Sequence, residues 1–293
     1  MTSLMFMLML QFVISTKAGL VNFVQGDVNV KTTQSVQAGV PIKIGPGGFA
    51  EILMNPGSYL RLGENSEAVL EGIELTDVSV RLVSGTAVIE AVGFDKERPL
   101  KVTNGNLAME IIRDGVYRFS DGTARIVQGK MRAAGTNTIF SKGWQVSKED
   151  IYQKVKVPKG ASTALETWSR DRSKLIAAAN VNLAKSLSRS QDATFGLLDA
   201  WMWVPSFGAY VFMPGFQFRS PYGYNYRSFT DIYYRGNPVE TGNSGYGSNR
   251  GSSSGGSGGG GSSGGGVAPA ESRPPQSSID AGRPSPGRAR PDL

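Results

Sequence analysis

Five carboxylates crowd one short stretch of the chain: Glu64, Glu67, Glu71, Glu74 and Asp77. Two carboxyl groups at a suitable separation can cleave a glycosidic bond, one as acid and the other as base or nucleophile. A ring of carboxylate oxygens can instead hold calcium. Little other site chemistry is open, because the sequence has no His and no Cys. That removes the usual zinc and copper ligand sets, a Ser-His-Asp triad and a thiol nucleophile. A Ser-Lys dyad stays open, but nothing marks one. Glu67 and Glu71 also flank the apolar Ala68 and Leu70, as solvent-side residues of a half-buried strand do. The expectation is a solvated face and turn, with no catalytic residue, no metal and no cofactor. The spatial test is whether these carboxylates converge or fan out.

A second group offers recognition rather than reaction. Residues 201–234 hold 13 of the chain's 27 aromatics. Trp201/Trp203, Tyr210/Phe212, Phe216/Phe218 and Tyr222/Tyr224/Tyr226 recur at period 2, so each short strand carries an aromatic stripe on one face. Pro205, Pro214-Gly215 and Pro221 supply the turns between them. A membrane-crossing strand needs about 9–11 residues, and these runs are shorter, so spanning is excluded. Two uses remain: a platform that stacks sugar rings, or core. Trp201, Trp203, Tyr210, Tyr222, Tyr224 and Tyr226 are the candidate binding residues. The reading preferred here buries Trp201, Trp203, Tyr210 and Phe212 against a helix around Trp168. It leaves the three tyrosines as the rim of a partner- or glycan-binding surface.

These residues need a scaffold. From Gly19 to about Val146 the chain alternates with period 2 through "LVNFVQGDVNVK", "VPIKIG", "AEILMN", "SYLRLG", "SEAVLEGIEL", "VSVRLVSG", "TAVIEAV", "LKVTN", "LAMEII", "VYRFS", "ARIVQG" and "TIFSKGWQV". Between them "NPGS", "GENS", "NG", "RDG" and "SDG" are turn signals. The pattern predicts a mainly β fold: a sandwich, a barrel or a solenoid-like module. The period then changes. Leu165, Trp168, Leu175, Ile176, Ala179, Leu183 and Leu187 mark an amphipathic helix, with Thr163 and Glu166 as a capping box. Arg172 interrupts the apolar stripe, so it either snorkels to solvent or meets an acidic side chain of the β domain. The domain reading is 19–160 β domain, 161–190 helix packed on it, 196–234 aromatic strand segment, and 235–293 a Gly/Ser/Pro-rich tail. That tail is too poor in apolar residues to order itself.

The formal net charge is +7, but no segment concentrates it: residues 19–160 carry 17 basic and 15 acidic groups, and 196–234 carry two of each. Without a basic cluster in the sequence, no nucleic-acid partner is expected. The run "LMFMLMLQFVI", Leu4–Ile14, followed by "STKAG", has the length and exit of a signal peptide, although no Lys or Arg precedes it. The expectation is cleavage after Ala18. The mature chain would have no membrane span and a periplasmic or extracellular location.

The motifs "VQGDVNV", "VQAGVPIKIGPGGFAEILMNPGSYLRLGENS", "VRLVSGTAVIEA" and "DGTARIVQGKM", in this order, resemble the FecR-domain family, a β-rich periplasmic module. "TWSRDRSKLIAAAN" and "WMWVPSFGAYVFMPG" are similar to the helix and aromatic segment that follow the domain in some secreted members. The resemblance spans Gly19 to about Ser228. It implies a cell-envelope interaction module without catalytic residues, whose partner is an envelope protein or a cell-surface glycan. Signalling members carry an anti-sigma segment with tryptophans and a transmembrane helix ahead of the domain. Here the first Trp is Trp144. The expected function is therefore a non-catalytic envelope interaction or scaffold protein. The alternatives are a carbohydrate-binding or carbohydrate-processing protein, and a signalling component related to iron-uptake regulation.

Overall fold

Strict alternation between turn signals produces short antiparallel strands, because one face of each strand must find an apolar partner while the other stays wet. The computed structural model describes residues 12–13, 17–149, 152–158, 160, 162–189 and 198–236. Most of the expected presequence and the tail from 237 onward lie outside the described residues. The elements described below belong to one compact unit, Met1–Glu240, and a second unit, Thr241–Leu293, falls wholly outside them.

The first strands are β1 (Phe12–Val13), β2 (Leu20–Gln25), β3 (Pro41–Ile44), β4 (Phe49–Leu53), β5 (Tyr59–Leu62), β6 (Ser66–Glu74), β7 (Asp77–Ser84) and β8 (Thr86–Ala91). Then follow β9 (Leu100–Asn104), β10 (Leu107–Ile111), β11 (Gly115–Ser120), β12 (Thr123–Gln128), β13 (Lys130–Ala133), β14 (Ile139–Ser141), β15 (Trp144–Lys148) and β16 (Tyr152–Lys156). The sequence pattern missed β13 and β16, and it ran β14 and β15 together. Gly143, at φ +89°, turns the chain between these two. "VNV" supplies only an isolated bridge, Val28 to Ile44. The "SDG" turn behaves as its chemistry demands: Asp121 and Gly122 both take positive φ and close the β11–β12 hairpin.

The strands form a seven-stranded sheet, β14-β13-β10-β9-β7-β6-β3, and an eight-stranded sheet, β16-β15-β12-β11-β8-β5-β4-β2. The chain visits them in turn, mostly a hairpin at a time: β4–β5 in one, β6–β7 in the other, and so on to β15–β16. Pairing is antiparallel except for β7 with β9, which run parallel because β8 crosses to the other sheet between them. One core fills the space between the sheets. Ile42, Leu70, Leu82, Val102 and Met109 come from one sheet, and Ile52, Leu60, Ile89, Phe119 and Ile126 from the other. Of the three expected architectures, the fold is the two-sheet sandwich.

A further layer lies on the outer face of the larger sheet. It comprises α1 (Ala164–Leu187), the hairpin β17 (Ala200–Val204) and β18 (Ala209–Met213), the short pair β19 (Phe218–Arg219) and β20 (Asn225–Tyr226), and α2 (Phe229–Gly236). Thr163 and Glu166 form the expected capping box at the start of α1. Covered on both sides, β5 is buried at all four positions. β1 pairs with β17, Val13 opposite Trp201, so part of the apolar run at the start of the chain adds a strand to this layer. Ala18 is also inside the fold, its amide donating to the Ile73 carbonyl at 2.7 Å. Among the described residues no helix is long and apolar enough to cross a membrane.

Candidate functional site

The face that α1 turns to the sheet is only in part the apolar stripe read from the sequence, of which Leu165 and Ile176 are buried and Trp168, Ala179, Leu183 and Leu187 half-buried. Its buried residues include Ser169, Arg172, Ser173, Ile176, Ala177, Asn180 and Ala184, whereas Leu175 is 55 % exposed. The buried face is centred roughly 70° round the helix from the expected stripe. The cause lies beneath it. Along β4, β5 and β8 every second side chain points into the sandwich, so Glu51, Arg61 and Glu90 point outward. Register places Glu51 opposite Arg61 and Glu90 opposite Tyr59, which gathers the three charges in one patch. The polar stripe of the helix supplies part of what they need, while Arg61 Nη2, Glu90 Oε1 and Arg172 Nη2 keep no hydrogen-bond partner among the described residues.

Arg61 is the hub. Its Nε donates to Glu51 Oε2 at 2.8 Å, and its Nη1 donates to Glu90 Oε2 and to Ser169 Oγ, each at 2.9 Å. Its guanidinium lies 4.7 Å from the Tyr59 ring centroid. Arg172 takes the second of the two routes open to it and donates to Glu51 Oε1 at 3.1 Å. Its guanidinium also sits 4.5 Å from the Phe23 ring centroid. Ser173 donates to Glu90. Asn22, in the bulge of β2, donates to Glu51 at 2.8 Å and accepts the Tyr210 amide at 2.6 Å, which ties the patch to the aromatic hairpin.

The two carboxyls are pushed apart in acidity. Burial would raise Glu51, but the charges of Arg61 and Arg172, with hydrogen bonds from Arg61 and Asn22, outweigh it and hold the group below the ordinary range. At Glu90 burial wins over Arg61 and Ser173, the Glu51 charge adds to it, and the carboxyl is raised. A split pair of this kind is the electrostatic pattern of an acid and a base. Access decides otherwise. Glu51 is 0 % and Glu90 1 % exposed, and both lie under α1. No substrate reaches them in this arrangement, and their chemistry is that of a bolt between helix and sheet.

The carboxylates singled out in the sequence fan out. Glu67 pairs with Lys43 at 3.3 Å, Glu71 with Arg81 at 2.6 Å, Glu74 with Lys17 at 2.8 Å and Asp77 with Lys101 at 2.8 Å, while Glu64 accepts the Gly47 amide at 3.0 Å. Each has its own partner, and among the described residues no group of three metal-ligating acidic side chains converges.

The aromatic candidates divide by burial. Trp201, Tyr210 and Tyr226 are buried and cannot offer a ring to a ligand. Trp201 meets Tyr59 edge-on at 5.3 Å and Phe212 at 5.6 Å, in a cluster with Ile176 and Ala177. Trp168 is not its neighbour in that cluster, because the rotated helix lays this ring on Phe49 at 5.0 Å. Tyr226, expected at an exposed rim, stacks on Phe218 at 4.9 Å. Tyr224 is half-buried against the Trp201 cluster, and the Tyr222 hydroxyl donates to Ser169 at 2.9 Å. Burial pushes the Tyr222 phenol up to about 12, so it stays a neutral donor.

Trp203 stays half-open, edge-on to Tyr210 at 5.2 Å. With Phe207 of the β17–β18 turn and Leu175, Ala179, Asn182 and Leu183 of α1, it lines a groove of about 650 Å³. The exposed Leu175, with the half-buried Ala179 and Leu183, makes one wall of this groove. The sequence pointed to Trp203 but not to Leu175 as a surface residue, and it gave Glu51, Arg61 and Glu90 no role. The signal that could have found them is the polar stripe Ser169, Arg172, Ser173 and Asn180 on a helix otherwise bound for burial.

No protein-family model matches the chain, and no curated protein matches it. Two crystal structures of a "putative anti-sigma factor" from Parabacteroides distasonis are similar to it at 12 % identity and TM-score 0.34. The match covers 40 % of this chain and 60 % of the first, and 51 % of this chain and 73 % of the second.

Proposed function

We propose that this chain is a non-catalytic interaction protein of the cell envelope, exported to the periplasm or beyond, that holds an envelope partner in the groove between α1 and the β17–β18 turn. The observation that carries this reading is the exposed apolar wall: Leu175, more than half exposed, beside Trp203 and Phe207 in a groove of about 650 Å³. Apolar surface collected in a concavity marks an interaction or ligand site. The FecR-like order of motifs and the apolar run at the start of the chain support the envelope setting.

A glycan is the second occupant to consider. It is favoured by Trp203 standing next to Asn182, Ser186 and Ser206, which set polar donors around an aromatic face.

Photo-crosslinking tests the reading. A benzophenone amino acid at Leu175 in cells should yield a discrete protein adduct in the envelope fraction, and the same probe at Val155 of β16, which is even more exposed, should not. Identical adducts from both positions would sink the proposal. Quenching of Trp fluorescence by soluble glycans, lost in Trp203→Ala, would favour the second occupant.

A further inference from the structure

A separate opening lies beside the first turns of α1. Its walls come from distant parts of the chain: Arg125 and Val127 of β12, Lys142 of the turn before β15, Thr167 and Arg170 of α1, and Tyr222. Its volume is about 550 Å³, the size of a small-molecule site and large for a bare ion.

Charge is what distinguishes it. The lining carries three cations, Arg125, Lys142 and Arg170, and one carboxylate, Glu166. Glu166 is already engaged, by the capping box and by Arg125 at 3.6 Å. Lys142 and Arg170 form no ion pair among the described residues. Arg118 adds to the positive field, since it lies directly across from Arg125 in the β11–β12 pairing. The helix terminus is not the attraction, because Thr163 Oγ1 already accepts the Glu166 amide at 3.3 Å. Like charges drawn together in a concave site focus a field that a mobile anion relieves. Beside them Val127 and the Tyr222 ring offer an apolar wall, with the Arg170 guanidinium 5.7 Å from the ring centroid.

We infer that this cleft binds a small organic oxyanion, its phosphate or carboxylate held by Arg170, Lys142 and Arg125 and its carbon skeleton laid on Val127 and Tyr222. The inference is independent of the groove, since the lining residues of the two openings do not overlap.

Titration calorimetry on the full chain at low salt, with phenyl phosphate, benzoate and neutral phenol as probes, tests it. At least one anion should bind, phenol should not, and binding should weaken in high salt. Tighter phenyl phosphate would identify a phosphate monoester, and tighter benzoate a carboxylate. Lys142→Gln and Arg170→Gln should each weaken binding roughly tenfold or more, the loss of one charge-assisted hydrogen bond, with unchanged urea midpoints. The inference fails if phenol binds as well as the anions, if no probe binds at millimolar concentration, or if both variants bind like the parent.

Discussion

Arg61 Nε lies 2.8 Å from Glu51 Oε2, and neither side chain has any exposed surface. Two charges at this distance inside a fold attract strongly, but each has given up its hydration. Removing one partner therefore harms the fold more than removing the whole cluster. Arg61→Met should cost about 3–5 kcal/mol in urea unfolding because Glu90 is left buried without a counter-charge and Glu51 keeps only Arg172. The quadruple variant Glu51→Leu, Arg61→Met, Glu90→Leu, Arg172→Met, which leaves none of the four charges behind, should recover much of that loss. A quadruple variant less stable than Arg61→Met would overturn this account.

The same cluster sets two opposed pH slopes. Glu51 is lowered from its ordinary 4.5, so its stabilisation is present above that value and is lost as pH falls through the lower folded value. Glu90 is raised from 4.5, so its contribution is full below that value and is lost as pH rises through the higher folded one. Urea midpoints of the parent and Glu90→Gln, compared across pH, should differ by a curve that slopes on the alkaline side of 4.5. A pH-independent difference would contradict the raised value.

Burial separates the aromatic residues into two groups. Trp201→Ala should cost about 3–5 kcal/mol, the usual range for removing a large ring from a packed site. Tyr224→Ala, half-buried, should cost clearly less. Melting temperatures of the two variants give the comparison, and equal losses would count against it.

Leu175→Lys should change stability by no more than about 0.5 kcal/mol, as surface substitutions do. It should nonetheless abolish the envelope adduct expected at this groove. Retained crosslinking from a neighbouring probe at Asn182 in that variant would remove the groove from the proposed function.

Export predicts that N-terminal sequencing of native protein begins at Gly19. An intact Met1 in a cytosolic fraction would refute it.

Much of the sandwich was legible, because alternation such as Ile42-Lys43-Ile44 or Val78-Ser79-Val80 reports a strand with one wet face. The same logic is silent on burial at β4, β5 and β8. There Glu51, Arg61 and Glu90 occupy positions that read as wet and are covered by a helix more than 70 residues further along the chain. Alternation records which face a residue takes, not what later covers that face. The cap of α1 was legible because Thr163 and Glu166 are neighbours, but its rotation was not, since it depends on charges contributed by three strands. The cationic cleft escaped for a related reason. Arg125, Lys142 and Arg170 are scattered in sequence, and only the fold assembles them.

The alternation of hairpins between sheets bears on how the chain is made. Each pair of strands can dock on the pair before it as it leaves the ribosome, so the sandwich can grow from its N-terminal end without waiting for distant partners. α1 and the aromatic hairpin emerge only after the strands of the larger sheet, and until then the outer face of β4, β5 and β8 stands open. An apolar face in that position would invite aggregation during synthesis. Glu51, Arg61 and Glu90 keep it wettable in the interval, so the residues that bolt the finished protein also protect the unfinished one.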